Sequence, residues 1–580
     1  MKYNVLLKFE EISWSVVTAS SKQQRIHYTM RNSINMMKYP LKYLVLLITV
    51  FNISFAIQAD AKQPNIVLIL ADDLGWVDIS SDLATDGHGS RYYQTPAIDQ
   101  LASQGMSFTQ AYALQNCAPT RSAILTGQYP LRHYNGVFNV GSLNRPDKRT
   151  KGYPDLPITP PVQNKHINSD STSLHETLQS GGYITSFFGK NHGGGEHRDL
   201  TKNHGVDYNF GTEEGPFING TVDGKRVKSG FFAIKDDKIG WTFSIPVLKS
   251  YANPYDAAYV KKVLEPIANG NKPALAIGTP KHLTDALGDA AVDFIKERAE
   301  GEKPFFLYIP FHAVHFPIVA RPDLIAKYEA INSRDERHGK PVYAAMIELL
   351  DQNIRKVLNA LDDPNGDGSN SDSLSSDTLV LFTSDNGGFV GPTNNSPLRG
   401  KKGMFYEGGI RVPFICSWPG VITPGTVNRE AVHCIDIYPT LADVGQAPIP
   451  NPSVQNLDGE TLAPILKGKK KTLIRDSLYW HFPGYMDNRQ RPNSVIQKTI
   501  QGNDYKLFYY YETGQYELYN LTEDISESRN LLDGNYPEST PKIAEELNMD
   551  LRRWLIDGNA PTGTWKKDNQ RVDYPSSQAF

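Results

Sequence analysis

A chain of 580 residues is too long for one ordinary core, so its length predicts one large domain with a smaller one attached. Its apolar fraction of 39% and aromatic fraction of 11% are those of a folded globular protein. A net charge of −3 supplies no bulk attraction for nucleic acid or anionic membranes, so neither is an expected partner, and an anionic substrate must be caught by a local basic pocket.

In chain order, the first feature is an apolar run over 43–56, preceded by Lys38 and Lys42 and followed by small-residue sites at 54–56 and 59–61. It has the layout of a secretory signal peptide and is too short for a stable membrane span. Export is therefore expected, to the periplasm or beyond the cell. The residues before it resemble no targeting segment, and Met36 or Met37 is the expected translation start.

From Pro64 onward apolar β-type runs alternate with helical patterns. Strands are predicted over 65–71, 184–188, 305–310 and 378–383, and helices over 95–104, 173–178, 286–298 and 343–361. This alternation predicts an α/β domain with a mainly parallel sheet flanked by helices. The Gly-, Ser- and Asp-rich stretch 362–377 has Leu374 where a calcium loop counted from Asp363 needs glutamate, so it is expected to be a solvated surface loop.

Pro448, Pro450 and Pro452 mark a boundary near residue 446. Beyond it, strand-like segments at 477–481, 498–500, 505–511 and 517–521 precede a helix over 541–555. The expected organisation is an N-terminal extension and signal peptide over 1–61, the α/β domain over 62–446, and a smaller α+β domain with an antiparallel sheet over 447–580.

There are three cysteines, an odd number for an exported chain. Cys416 and Cys434 lie in apolar runs and are expected as buried free thiols, although a disulfide between them stays open. Cys117 differs. It stands where a strand gives way to a helix, in Cys117-Ala118-Pro119-Thr120-Arg121 followed by Leu125-Thr126-Gly127. Pro119 suits a first helical turn, and Arg121 sets a permanent cation one turn from the sulfur. Free N–H groups and the dipole at a helix N-terminus complete a place for a tetrahedral oxyanion.

Polar residues gather after four of the predicted strands, where open α/β sheets bind their ligands. Asp72 and Asp73 follow the first strand, and Asp385 and Asn386 follow the strand at 378. Adjacent carboxylates repel unless a cation lies between them, and this all-oxygen set suits Ca²⁺, with Mg²⁺ as the alternative. Lys190, His192 and His315 follow two further strands, and Lys402, beside Lys401, leads toward an apolar run at 412. Together they predict an electropositive pocket opposite the acidic cluster.

These segments, in this order from Pro64 to about residue 560, resemble the type I, formylglycine-dependent sulfatases. The resemblance implies an alkaline-phosphatase-like α/β domain and a C-terminal subdomain holding a four-stranded antiparallel sheet. It implies that Cys117 is oxidised to formylglycine by a formylglycine-generating or anaerobic sulfatase-maturating enzyme, and that calcium is bound by Asp72, Asp73, Asp385, Asn386 and the modified Cys117. Arg121 would fix the modified side chain, Lys190 and Lys402 would hold sulfate oxygens, His315 would protonate the leaving alcohol, and His192 would assist release of sulfate. Asn191 departs from the family, where tryptophan is common, as does Gly193-Gly194-Gly195, where a leucine usually intervenes. The shape of that loop is thereby left open.

Segments at 308–320, 341–361, 480–485 and 505–521 resemble polysaccharide sulfatases of marine and gut bacteria. They imply a sulfated oligosaccharide or polysaccharide substrate, from ulvan, carrageenan or a related galactan before glycosaminoglycans. Trp480, Phe482 and Tyr485 stand as candidates either for stacking on sugar rings or for core packing. The alternatives are a phosphatase or phosphonate monoester hydrolase of the same superfold, and a carbohydrate-binding homologue without catalysis.

Overall fold

Strand β1 (Asn65–Ala71) lies at the centre of an eight-stranded sheet, and six of its seven residues are buried. A strand covered on both faces has no polar side to present, which accounts for the unbroken apolar run from Ile66 to Ala71. The computed structural model describes residues 62–132, 156–193, 204–210 and 281–580 apart from a few short gaps, together with the backbone of strands between 220 and 241. The predicted signal peptide and the extension before it lie outside the described residues.

The other strands of the sheet are β2 (Met106–Phe108), β3 (Ile184–Phe188), β4 (Tyr208–Phe210), β5 (Phe305–Pro310), β6 (Thr378–Ser384), β7 (Phe414–Ser417) and β8 (Thr426–Asn428). Their order is β8-β2-β7-β6-β1-β5-β3-β4, and every neighbouring pair is parallel except those made by β7, which runs against β6 and β2. The mainly parallel sheet predicted from the alternation is therefore observed, with one reversed strand inside it.

Side chains of β1 alternate between two cores. Ile66, Leu68 and Leu70 face helices α2 (Cys117–Thr126), α3 (Leu174–Ser180) and α6 (Ile437–Val444). Val67 and Ile69 face α1 (Pro96–Gln104), α4 (Leu283–Ala299) and α5 (Pro341–Asp362). Truncating one such leucine to alanine typically costs about 2–5 kcal/mol.

Helix starts follow local chemistry in one case and tertiary structure in another. Ser173 and Glu176 form a capping box at α3. The first turn of α1 is instead capped by Asp351 of α5, whose carboxylate accepts from Ala97 N at 3.0 Å and Ile98 N at 2.9 Å. Burial pushes the Asp351 carboxyl up to about 7 despite those bonds.

The C-terminal sheet is an antiparallel meander of β9 (Ser477–Phe482), β10 (Asn493–Ile500), β11 (Asn503–Tyr510) and β12 (Tyr516–Asn520), with α7 (Thr540–Asp557) packed on β10. β10 begins five residues before the predicted strand because its first half carries buried polar residues. Ser494 bonds Tyr511 and His481 at 2.8 Å each, and Gln497 donates to Tyr112 at 3.1 Å. Trp480, Leu507 and Leu518 share one hydrophobic cluster with Ile66 and Leu381, so the chain from Gln63 to Phe580 forms one compact unit. In the loop at 362–377, the half-buried Asp363 carboxylate is occupied by the N–H groups of Gly366, Asp367 and Gly368. No helix among the described residues is long and apolar enough to cross a membrane.

Candidate active site

The site forms where β1, β3, β5 and β6 end together. Pairing of Ala71 with Ser384 brings Asp72 and Asp73 beside Asp385 and Asn386. Asp72 then exchanges backbone bonds with the β5 exit, donating to Ala313 O at 2.9 Å and accepting from Val314 N at 2.7 Å, which carries His315 to the same edge. Lys190 N donates to Pro310 O at 2.7 Å and fixes the β3 exit.

Asp73 adopts a left-handed conformation, φ 62°, uncommon outside glycine. Three contacts hold it there. Its N–H donates to Asp385 Oδ1 at 3.1 Å, its carbonyl accepts from Tyr343 OH at 3.4 Å, and the next N–H, of Leu74, donates to Ser384 Oγ at 3.1 Å. Tyr343 also reaches Asp78 at 3.3 Å, and Asp78 accepts from Gly75 N at 2.9 Å. Neither Tyr343 nor Asp78 was legible as part of the site, since a helix residue within an apolar stripe and an acid in a loop carry no distinguishing spacing.

Helix α2 begins at Cys117, with the Asn116 side chain accepting the Cys117 N–H at 2.8 Å. The thiol stands 3.2 Å from Lys402 Nζ, 3.4 Å from Asp72 Oδ1 and 3.9 Å from Asp73 Oδ1. Burial pushes the thiol up, and the Asp385 and Asp72 charges add to it against Lys190 and Lys402. It is held protonated, which argues against thiolate chemistry. All three cysteines are free and buried, including Cys416 and Cys434.

Three ion pairs surround the sulfur. Lys190 meets Asp72 at 2.6 Å, Lys402 meets Asp73 at 2.6 Å, and Arg121 meets Asp385 at 2.7 Å. Burial works to raise Asp72 and Asp73, but Lys190 and Lys402 respectively, with His315, hold both below the usual carboxylate range. Asp385 goes the other way: burial and the Asp72 charge push it up to about 6 despite Arg121. Lys402 rather than Lys401 turns inward. Burial lowers both His192 and His315, with Lys190 acting in the same direction, so both imidazoles are neutral near pH 7. His315 Nδ1 lies 2.5 Å from the Phe316 carbonyl, leaving Nε2 to face Asp73 at 3.8 Å.

The site gathers groups that could hold a metal ion, of which the carboxylate oxygens are the hard donors. Asp72, Asp73, Cys117 and His315 place ligand atoms within 4.8 Å of one another. Asn386 donates through Nδ2 to Asp73 at 2.9 Å, while its buried Oδ1 has no partner. Because each of Lys190, Lys402 and Arg121 is committed to a carboxylate, the cluster as a set is neutral and offers an anion no net attraction. A divalent cation would supply that charge.

The predicted residues Asp72, Asp73, Cys117, Arg121, Lys190, His192, His315, Asp385, Asn386 and Lys402 thus gather at one sheet edge. Of the loop left open by the sequence, Gly194 and Gly195 lie outside the described residues, and Gly193 packs on α2. Gly193 has φ 102°, and a side chain there would meet Ala118 O and Ser122 Oγ at 2.9 Å. Between the two roles left open for Trp480, Phe482 and Tyr485, burial decides for packing: Trp480 Nε1 donates to Ala113 O at 2.9 Å and Tyr485 OH to Glu512 at 2.5 Å, so all three belong to the core.

A helix-borne thiol facing carboxylates, lysines and imidazoles at the carboxyl edge of a parallel sheet defines a hydrolase of oxyanion esters. Residues 64–447 match the family model described as Sulfatase, and residues 400–554 that of N-sulphoglucosamine sulphohydrolase, C-terminal. The chain belongs to the sulfatase family and is a sulfuric ester hydrolase. A sulfatase of Formosa agariphila is 52% identical over 92% of this chain and 96% of its own length. The N-acetylgalactosamine-6-sulfatase of Canis lupus familiaris is 31% identical over 71% of this chain and 67% of its own. A solved structure of Ps i-CgsB in complex with k-i-k-neocarrahexaose shares the alkaline-phosphatase-like fold, with a TM-score of 0.61, 24% identity and coverage of 86% of this chain and 94% of that one.

Proposed function

We propose that the chain is an exported, periplasmic sulfatase that removes sulfate esters from sugars of an algal polysaccharide such as ulvan, carrageenan or a related galactan. Cys117 would first be oxidised to formylglycine by a formylglycine-generating or anaerobic sulfatase-maturating enzyme. The observation that carries this reading is the Cys117 thiol at the start of α2, 3.2 Å from Lys402 and 3.4 Å from Asp72. Export rests on the charged and apolar pattern of the N-terminal segment.

Calcium would be held by Asp72, Asp73, Asp385, Asn386 and the side chain at position 117, the unpartnered Asn386 Oδ1 being one donor. When present, the ion supplies Lewis acidity and the oxidised side chain supplies the nucleophilic oxygen. Arg121, fully buried against Asp385, orients the side chain one turn before it. Lys190 and Lys402 bind sulfate oxygens and stabilise the charge those oxygens carry in the transition state. His315 Nε2 faces the pocket and would have to be protonated in the substrate complex before it gives its proton to the leaving alcohol oxygen. The negative sulfate beside it raises its proton affinity above the value that burial alone sets. His192, neutral and with an unpartnered Nδ1, is placed to accept a proton during release of sulfate.

A sugar substrate is supported by the names of relatives and neighbours that act on or bind saccharides. The deciding experiment measures sulfate release by matured enzyme from defined carrageenan, ulvan and glycosaminoglycan oligosaccharides, their parent polymers, aryl sulfates and phosphate monoesters. Release from algal oligosaccharides is expected. Turnover of aryl sulfates alone, or faster turnover of phosphate esters, would overturn the proposal.

A further inference from the structure

Three phenylalanines are exposed among the described residues: Phe316 at 63%, Phe389 at 36% and the terminal Phe580 at 41%. The first two lie on the loops leaving β5 and β6, the strands that flank β1 and end at the catalytic edge. Val390, also exposed, adjoins Phe389. Single exposed apolar residues need no explanation, but aromatic side chains exposed on two loops that leave strands ending at the charged site are candidates to meet a ligand's apolar face.

Phe316 is tied to the chemistry by position. Its carbonyl lies 2.5 Å from His315 Nδ1, so the ring springs from the residue next to the proton donor. The leaving oxygen must come within hydrogen-bond reach of His315 Nε2. Consecutive Cα atoms are about 3.8 Å apart, so a pyranose bonded to that oxygen is wide enough to lie over the neighbouring aromatic ring. Phe389 follows Gly388, whose carbonyl accepts from Lys402 N at 3.1 Å, which anchors the second loop to the segment carrying the sulfate-binding lysine.

We infer that Phe316, assisted by Phe389, forms the platform on which the C–H face of the sulfated sugar rests, and that it sets the preference for saccharide over smaller alcohols. The inference builds on the sugar-sulfatase reading above. Trp480, Phe482 and Tyr485 are buried, so none of these three supplies the stacking surface.

The test uses matured full-length enzyme and the sulfated oligosaccharide that wild type turns over best. For Phe316→Ala, KM should rise about tenfold while kcat stays within about threefold, and Phe316→Trp should restore KM. Inhibition by inorganic sulfate, which reads the anion pocket alone, should be unchanged in both, and a thermal melt checks folding. An unchanged KM in Phe316→Ala overturns the platform. So does a fall in kcat with weakened sulfate inhibition, which would mark Phe316 as a support for His315. Wild type releasing sulfate from no sugar would instead overturn the carbohydrate reading, and this inference with it.

Discussion

Lys402 Nζ stands 3.2 Å from Cys117 Sγ although 285 residues separate them in the chain, and the same ammonium lies 2.6 Å from Asp73. It touches both the position of the nucleophile and the acidic cluster. Lys402→Ala removes that charge from the transition state and leaves Asp73 without its nearest partner. Activity should fall by about 10²–10³. Comparing kcat for wild type and variant, both shown to carry the same modification at 117, checks it; a loss under threefold would remove Lys402 from the sulfate-binding set.

Modification of Cys117 is the next expectation. Peptide mass spectrometry after expression with a maturation enzyme should show an aldehyde at 117 that reacts with a hydrazide. Cys117→Ala should abolish turnover while leaving the melting temperature within a few degrees, because a small apolar side chain still fills the start of α2. A fully active protein carrying only thiol would contradict the mechanism.

Metal binding should be visible without any assay of activity. Calcium added to metal-stripped protein should raise the melting temperature, as any ligand selective for the native state does. Asp385→Asn should blunt that rise by removing one carboxylate, and also weaken the hold on Arg121. Stoichiometric zinc with no calcium or magnesium in elemental analysis would count against an oxygen-donor site.

Stability should depend on pH through Asp351, remote from the catalytic edge. Burial raises its carboxyl to about 7 in the folded protein, above the ordinary value near 3.8. A raised carboxyl is protonated in the native state while the unfolded one is ionised, so its contribution is fully present below about pH 4 and is lost as pH rises to 7. Stability from this group should fall by up to about 1.4 kcal/mol per pH unit within that window. Asp351→Asn should flatten the slope of denaturant midpoints between pH 5 and 7; an unchanged slope would assign it to other groups.

The C-terminal sheet is joined to the α/β domain through charge as well as apolar contact. Lys506 of β11, fully buried, pairs with Glu407 at 2.8 Å and Glu527 at 3.0 Å, and Glu527 accepts the Glu407 N–H at 2.7 Å. Lys506→Ala should leave Glu527 without its cation and Glu407 with only Arg411 and Tyr112, and cost about 3–5 kcal/mol in chemical denaturation. Because Glu407 follows Lys402 by five residues, activity should drop before global unfolding does. Equal stability of variant and wild type would show that the cluster contributes nothing net.

By itself, the sequence determined the alternation of strands and helices, because buried parallel strands must be continuously apolar and helices must be periodic, and it determined which polar residues stand at strand ends. Asp72, Asp73, Lys190, His192, His315, Asp385 and Asn386 were legible for that reason, and Cys117 through its local helix-start chemistry. Only the tertiary structure decided what pairs with what. Polar β10 was hidden because Ser494 and Gln497 are satisfied by partners far along the chain, and α1 is capped by Asp351 because burial, not local sequence, supplies its acceptor. Lys402 was separated from Lys401, and Trp480, Phe482 and Tyr485 were assigned to the core while Phe316, next to His315, was left exposed. An aromatic side chain has the same composition inside or outside, and its role is fixed by the surface that folding covers around it.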